Sequence, residues 1–371
     1  MELNRMALEE ANNFKLKVRC NEPFPIKTVK KILVRGTNWI GDVIMTLPAI
    51  RSIRQTFPKA HIAVLVKPWV ADIIHACPEV DEVILYRSPG EHEGFAGILK
   101  LARELKDRKF DCAILLQNAI EAAIIARLAG IPVRAGYNSD ARGWLLTHSV
   151  RRTDAIRQVH QTGYYLEMLK SLGFKGDLKD VGLRLGRDTG ELMTQLFRRF
   201  GLKTNQLLIG MAPGAAYGPA KRWPADRFAE AASQLSEKYS ARVILFGSKG
   251  DRETTELITH SAGNGILNLA GETSLREAMA LISKCALFIS NDSGLMHVAG
   301  ALGVSTIAIF GSTNPVTTSP SGERCVIIRK NLDCSPCLKK KCPTDFRCMT
   351  SIEVSEVLRV AQDMMRDGAS A

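Results

Sequence analysis

Four short stretches of this chain hold the residue types that could manage a proton and a charged leaving group. The first is Arg35-Gly36-Thr37-Asn38-Trp39-Ile40-Gly41-Asp42. Its two glycines let the backbone turn tightly and approach a ligand closely. Asp42 offers a carboxylate that can act as general base on a hydroxyl. The plain alternative is that Asp42 caps a helix, and spacing alone leaves both readings open. The pattern is not G-x-G-x-x-G, so a dinucleotide fingerprint is not supported.

The second stretch runs from Ala212 to Pro224 and ends in Lys221-Arg222-Trp223-Pro224. A loop rich in Gly, Ala and Pro that closes on two cations suits a diphosphate, since lysine brings a point charge and arginine a bidentate fork. Solvated cations on an ordinary loop are the alternative. The third stretch is Asn291-Asp292-Ser293-Gly294-Leu295-Met296-His297. With Asp292 or Ser293 as N-cap, the free amides at Ser293, Gly294 and Leu295 and the helix dipole make an anion site. His297 falls one turn further on, either facing that anion or simply packed. The fourth, Phe310-Gly311-Ser312-Thr313-Asn314-Pro315, adds hydroxyl donors and is a weak signal by itself.

These stretches need elements to hold them. Apolar runs at 31–35, 62–66, 83–86, 112–116 and 133–137 read as strands, with helices at 43–56, 69–76, 98–106, 119–129 and 160–172 between and after them. Pro48 is read near the first turn of its helix, where proline is tolerated. The alternation restarts with strands at 207–212, 243–246, 266–268, 287–290 and 306–310 and helices at 226–239, 253–262, 275–284, 295–302 and 352–366. Short apolar strands alternating with helices predict an α/β fold with parallel sheets covered on both faces. Two doubly wound halves in series follow, with a linker near 173–188. Ligands of such sheets bind beyond the carboxyl ends of the strands, where all four stretches fall.

Taken in order, the first stretch, Lys221-Arg222-Trp223-Pro224 and Asn291 to His297 resemble the family-9 glycosyltransferases, the ADP-heptose:lipopolysaccharide heptosyltransferases. The resemblance runs over residues 31–358, and the first motif is nearest to the second type of the family. It implies the GT-B architecture, two Rossmann-like domains facing across a cleft. The expected division is an N-terminal extension at 1–30, an acceptor-binding domain at 31–180, a donor-binding domain at 190–350 and a C-terminal helix at 351–371. The implied reaction is an inverting transfer of heptose from ADP-heptose to the inner core of lipopolysaccharide, with heptosyl-Kdo2-lipid A as acceptor and no cofactor required. The resemblance makes Asp42 the base. It makes Lys221, Asp292, Ser293, Gly294, Leu295 and His297 the donor site, and Arg35, Thr37 and Asn38 the acceptor side. Asp251, in Gly247-Ser248-Lys249-Gly250-Asp251, stands where the family often has a glutamate that contacts the nucleoside, and is one methylene shorter.

Cys334, Cys337, Cys342 and Cys348 form C-x2-C-x4-C-x5-C. Four thiols are the right count for tetrahedral zinc, although the later spacings are not those of a standard ribbon. Structural zinc, reduced thiols or a regulatory disulfide, and plain packing all remain open. The other five cysteines read as small hydrophobes.

Composition sets the frame. With 371 residues, 46% hydrophobic and 24% charged, the chain is a globular protein of about two domains. No apolar run reaches the roughly 18 residues of a membrane span, and the polar start lacks the core of a signal peptide. The expectation is a cytoplasmic protein in peripheral contact with the inner membrane face. A net charge of +12, spread over 27–35, 103–109, 134–157, 184–199 and 324–341, favours anionic partners. No helix-turn-helix, zinc finger or base-stacking strand points to nucleic acid. The rival readings are another nucleotide-sugar transferase or epimerase of the same fold, and a non-enzymatic metal- or redox-sensing nucleotide-binding protein built on the cysteines.

Overall fold

The structure is a computed structural model and describes residues 14–175, 182–186 and 188–369. The chain divides into two compact units, one up to residue 181 and one from Gly182 onward.

The first unit holds strands β1 (Val18–Arg19), β2 (Lys31–Arg35), β3 (His61–Val66), β4 (Glu82–Leu85), β5 (Cys112–Leu115), β6 (Val133–Tyr137) and β7 (His148–Val150). They lie in the order β4-β3-β2-β5-β6-β7-β1. All pairings are parallel except β1 with β7. Ile32, Leu33 and Val34 are at most 1% exposed, as a central strand covered on both faces requires. Strand order reverses between β2 and β5, and a crevice opens at such a switch point.

The helix after β2 runs from Ile40 to Thr56 and packs against helix Gln161–Ser171. Val43, Leu47, Ile50 and Ile53 are fully buried, but so are most of their neighbours, because the helix is enclosed between the sheet and that second helix. With the helix starting at Ile40, Pro48 falls well inside it rather than in its first turn. Proline donates no N–H, so the carbonyl one turn earlier loses its usual partner there.

The second unit holds β8 (Leu208–Ala212), β9 (Arg242–Leu245), β10 (Ile266–Asn268), β11 (Leu287–Asn291), β12 (Ser305–Ile309) and β13 (Cys325–Ile328). Their order is β10-β9-β8-β11-β12-β13, all parallel, with the switch point between β8 and β11. Helix Ala225–Tyr239 covers one face with Phe228, Ala231, Ala232 and Leu235. The C-terminal helix, Val354–Ala369, packs on helix Ala225–Tyr239 and on β12 of this unit.

Some elements among the described residues were not anticipated. Strands β1 and β7 are two and three residues long and carry no apolar alternation. Strand β13 is an apolar run inside a stretch read only for its basic charge. Helix Thr189–Arg199 begins among polar residues and buries only Met193 and Leu196 in its own span. Arg199 ties it down through hydrogen bonds to Glu277 Oε1 at 3.1 Å and Glu272 O at 3.0 Å.

Candidate active site

In the first unit, Arg35 closes β2 and is 2% exposed. Its guanidinium donates to Gly36 O at 2.5 Å, Leu65 O at 3.3 Å and Asn38 Oδ1 at 2.9 Å. Burial pushes its pKa down to about 10, which still leaves it charged at neutral pH. Arg35 is therefore the brace that shapes the following loop. Thr37 is 3% exposed, and its hydroxyl has no hydrogen-bond partner among the described residues. Asn38 spends its carboxamide oxygen on Arg35 and its backbone carbonyl on the Trp69 indole, at 2.8 Å.

Asp42 does not cap its helix. The N-cap is Trp39, whose extended backbone makes no side-chain cap, and Asp42 lies in the first turn, partly exposed. The phenol of Tyr165 lies close by. Its pKa is raised well above the usual value, first by burial and next by the Asp42 charge.

Several side chains at the same edge of this sheet carry no sequence motif. Arg142 is fully buried and holds the loop after β5, donating from Nη1 to Gln117 O and from Nε to Tyr137 O at 2.8 Å. Tyr164 donates to Asn118 Oδ1 at 3.1 Å. Lys67, one residue past β3, is 7% exposed and lies 3.6 Å from the ring centre of Tyr86. A lone lysine, arginine or tyrosine at a strand end gives no signal in sequence. The fold assembles these groups from separate segments, Arg142 with Gln117 over 25 residues and Tyr164 with Asn118 over 46.

In the second unit, the loop after β8 and the end of β11 meet across the switch point through one amide. Asn291, fully buried, accepts from Trp223 N at 2.9 Å and donates to Pro213 O at 2.7 Å. This pair of hydrogen bonds needs one donor and one acceptor on the same side chain, which is why an amide rather than a carboxylate stands there. The brace brings Lys221 to Asp292. Lys221 Nζ donates to Asp292 Oδ2 at 2.5 Å, and Thr313 Oγ1 donates to the same oxygen at 2.5 Å. Ser293 is the extended N-cap of helix Gly294–Ala301, and its side chain does not cap the helix. Its hydroxyl pairs with Ser290 Oγ at 3.0 Å instead, so this side chain satisfies none of the first-turn amides, which include those of Gly294 and Leu295. His297 follows in the same helix and is buried.

Asp251 is committed locally. Its Oδ2 accepts from Ser248 N at 2.9 Å and Ser248 Oγ at 2.7 Å, while Oδ1 is 3.8 Å from Arg222. Its carboxylate also lies against Gly214, where any Cβ would fall 2.4 Å away.

The four clustered cysteines are free thiols that line one cavity of about 100 Å³ with Ala220 and Ser312. Zinc finds no ligand set there: no group of three or more His, Cys, Asp or Glu among the described residues is placed to hold a metal ion. The segment's backbone serves another purpose. Leu338 O accepts from Tyr217 Oη at 2.7 Å and Lys340 O accepts from Ala220 N at 3.1 Å. Leu338 N donates to Ser312 O at 2.7 Å, and Gly311 O accepts from Ser335 Oγ at 2.7 Å. The cysteine segment thus straps together the loop carrying Lys221 and the loop carrying Thr313. Gly218, at φ 152°, sits with its would-be Cβ 2.4 Å from Lys340 O, so only glycine fits under the strap.

Comparison with known proteins gives this geometry a context. The profile of Glycosyltransferase family 9 (heptosyltransferase) matches residues 98–346. The chain is 34% identical over 316 residues to lipopolysaccharide heptosyltransferase 2 of Escherichia coli K12, covering 81% of this chain and 88% of that protein. Among solved structures, the E. coli ADP-heptose lipopolysaccharide heptosyltransferase II superposes with a TM-score of 0.77 at 30% identity, over 91% of this chain and 99% of that one. A family-9 glycosyltransferase from Veillonella parvula reaches a TM-score of 0.80 at 25% identity, over 91% and 97%.

Proposed function

Because this chain belongs to glycosyltransferase family 9, the heptosyltransferases, we propose that it moves L-glycero-D-manno-heptose from ADP-heptose onto the heptosyl-Kdo2-lipid A inner core of lipopolysaccharide, with inversion. The observation that carries this reading is the set formed by Lys221, Asp292 and Thr313 beside the uncapped turn at Ser293–Leu295. It is a phosphate site at the carboxyl end of two strands flanking a switch point.

Each residue then has a task. Asp42 takes the proton of the acceptor hydroxyl. The freed oxygen bonds to the anomeric carbon as the bond from that carbon to the ADP oxygen breaks, and the pair of electrons leaves with ADP. Lys221 and the amides of Gly294 and Leu295 meet the charge that develops on the diphosphate. Asp292 keeps Lys221 in place through its 2.5 Å bond, and Thr313 fixes Asp292 in turn. Arg222 stands next to Lys221, with Asp251 as its nearest carboxylate, toward the nucleoside side of the donor. Arg35 and Asn38 shape the loop that aims Asp42.

No helix among the described residues is long and apolar enough to cross a membrane. The reading places the protein in the cytoplasm, meeting its lipid-linked acceptor at the inner membrane face through its basic surface. The test is a transfer assay with ADP-heptose and acceptors of defined length. Transfer to the acceptor that already carries one heptose is expected. Transfer from UDP- or GDP-sugars in preference to ADP-heptose, or to none of the inner-core acceptors, would overturn it.

A further inference from the structure

We infer that Lys67 and Trp69 form a subsite for an anionic sugar of the acceptor, the ammonium taking its carboxylate and the exposed indole taking the face of its ring. The inference rests on the proposed reaction for the identity of the acceptor.

Lys67 follows the last residue of β3, and its neighbours across the sheet edge are Arg35 at the end of β2 and Tyr86 just past β4. It is 7% exposed. Its nitrogen donates to Ser88 O at 2.7 Å and lies over two rings, 3.6 Å from the centre of Tyr86 and 5.9 Å from that of Trp69. The Arg35 guanidinium stands over the same Tyr86 ring at 5.2 Å. Two cations therefore share one aromatic ring, and Glu121 is the acid whose charge reaches both. No carboxylate among the described residues forms an ion pair with Lys67. A buried ammonium with no acid in direct contact is costly, and an incoming carboxylate would supply that contact.

Trp69 provides the second observation. Its side chain is 48% exposed, yet its Nε1 is tied to Asn38 O at 2.8 Å and its ring is backed by Lys67. Single exposed aromatics are common and need no explanation. An exposed indole held at one edge by a hydrogen bond and at its back by a cation is a rigid platform, which binds a flat apolar sugar face at little entropic cost. Asn38 lies in the same short motif as Asp42, so the platform is anchored to the loop that aims the base.

A simple structural role for Lys67 would be to hold the loop at Ser88. The experiment separates the two. Wild type, Lys67→Met, Lys67→Arg and Trp69→Ala are compared on the inner-core acceptor and on the same acceptor with its carboxylates as methyl esters. Acceptor KM, kcat and ADP-heptose KM are read in each case, and acceptor binding is read by calorimetry. With the free acid, Lys67→Met should raise acceptor KM and Kd about tenfold or more, the worth of one charged hydrogen bond, leaving kcat and donor KM within about twofold. With the ester, wild type and Lys67→Met should coincide. Lys67→Arg should keep most of the preference for the acid. Trp69→Ala should weaken both acceptors alike. Equal losses for Lys67→Met on acid and ester would overturn the inference. So would a preference that disappears when acceptor phosphates, not carboxylates, are removed. Acid-selective binding without any heptose transfer would sink the proposed reaction and leave the subsite standing.

Discussion

Replacing Lys221 by methionine separates what this lysine does for the fold from what it does for a ligand. Its ammonium is 2.5 Å from Asp292 Oδ2, with the lysine side chain 13% and the aspartate 5% exposed. Removing one partner strands the other as a buried charge, at a cost of about 3–5 kcal/mol. Thr313 still donates to the same oxygen, so the lower end, about 3 kcal/mol, is expected. The double variant Lys221→Met/Asp292→Asn has no stranded charge and should recover about 2 kcal/mol of that loss as coupling between the two sites. Ligand binding should not recover. Loss of one charge-assisted contact to the diphosphate is worth about 1.5–3 kcal/mol, or roughly 10- to 150-fold in Kd, in single and double variant alike. Urea unfolding gives the stability, with m checked for constancy, and calorimetry with ADP at fixed salt gives the affinity. Wild-type ADP affinity in the double variant would refute the phosphate role of Lys221. A single variant as stable as wild type would refute the argument from the buried pair.

Asp42→Asn should lower kcat by about 10²- to 10⁴-fold with ADP-heptose affinity unchanged; a loss below tenfold would mean another group takes the proton. Gly218→Ala should cost about 1–3 kcal/mol of stability and weaken ADP binding, because the new methyl must push Lys340 O and the strap away from the Lys221 loop; unchanged ADP affinity would uncouple strap and donor loop. Glu167, 3% exposed with Lys170 Nζ at 3.4 Å, has its pKa raised by burial, an effect that Lys170 only partly offsets. A carboxyl with a folded pKa above its unfolded value favours the fold below that window and loses this contribution as pH rises through it. Glu167→Gln should therefore raise the melting temperature at neutral pH and have little effect below the ordinary glutamate range; a drop at neutral pH would contradict this.

How much of this could be read in the sequence follows from where each residue lies. The motifs ending in Asp42, Lys221 and His297 were legible because each is contiguous and follows a strand, and the strands concerned, β2, β8 and β11, flank the two switch points. The Lys67–Tyr86–Arg35 grouping was not, because its members come from three strands and meet only through parallel registry. Asp42 as a possible cap was an ambiguity of one turn: the helix starts at Ile40, two residues before it, and that start also moves Pro48 inward. The cysteine spacing suggested metal, but the segment's backbone is committed to Tyr217, Ala220, Gly311 and Ser312, a use that spacing cannot reveal.

The two units treat their cations differently, and the difference bears on turnover. In the second unit the strong charges near the proposed phosphate position are already matched, Lys221 by Asp292 and, more loosely, Arg222 by Asp251. A diphosphate arriving there must share Lys221 with a carboxylate 2.5 Å away, so much of its hold falls to the amides of the turn at Gly294. In the first unit Arg35, Lys67 and Arg142 are buried with carbonyls and rings as their main partners. An anion bound there meets cations that make no direct ion pair among the described residues, and it gains more per contact. Under the proposed reaction this asymmetry is useful. A leaving group must be stabilised as it forms and then let go, and a lysine with an aspartate to return to releases ADP more readily than an unpaired one would. The acceptor carries its anions through the reaction unchanged, so tight, fixed cations on that side cost nothing at the chemical step and hold the hydroxyl where Asp42 can reach it.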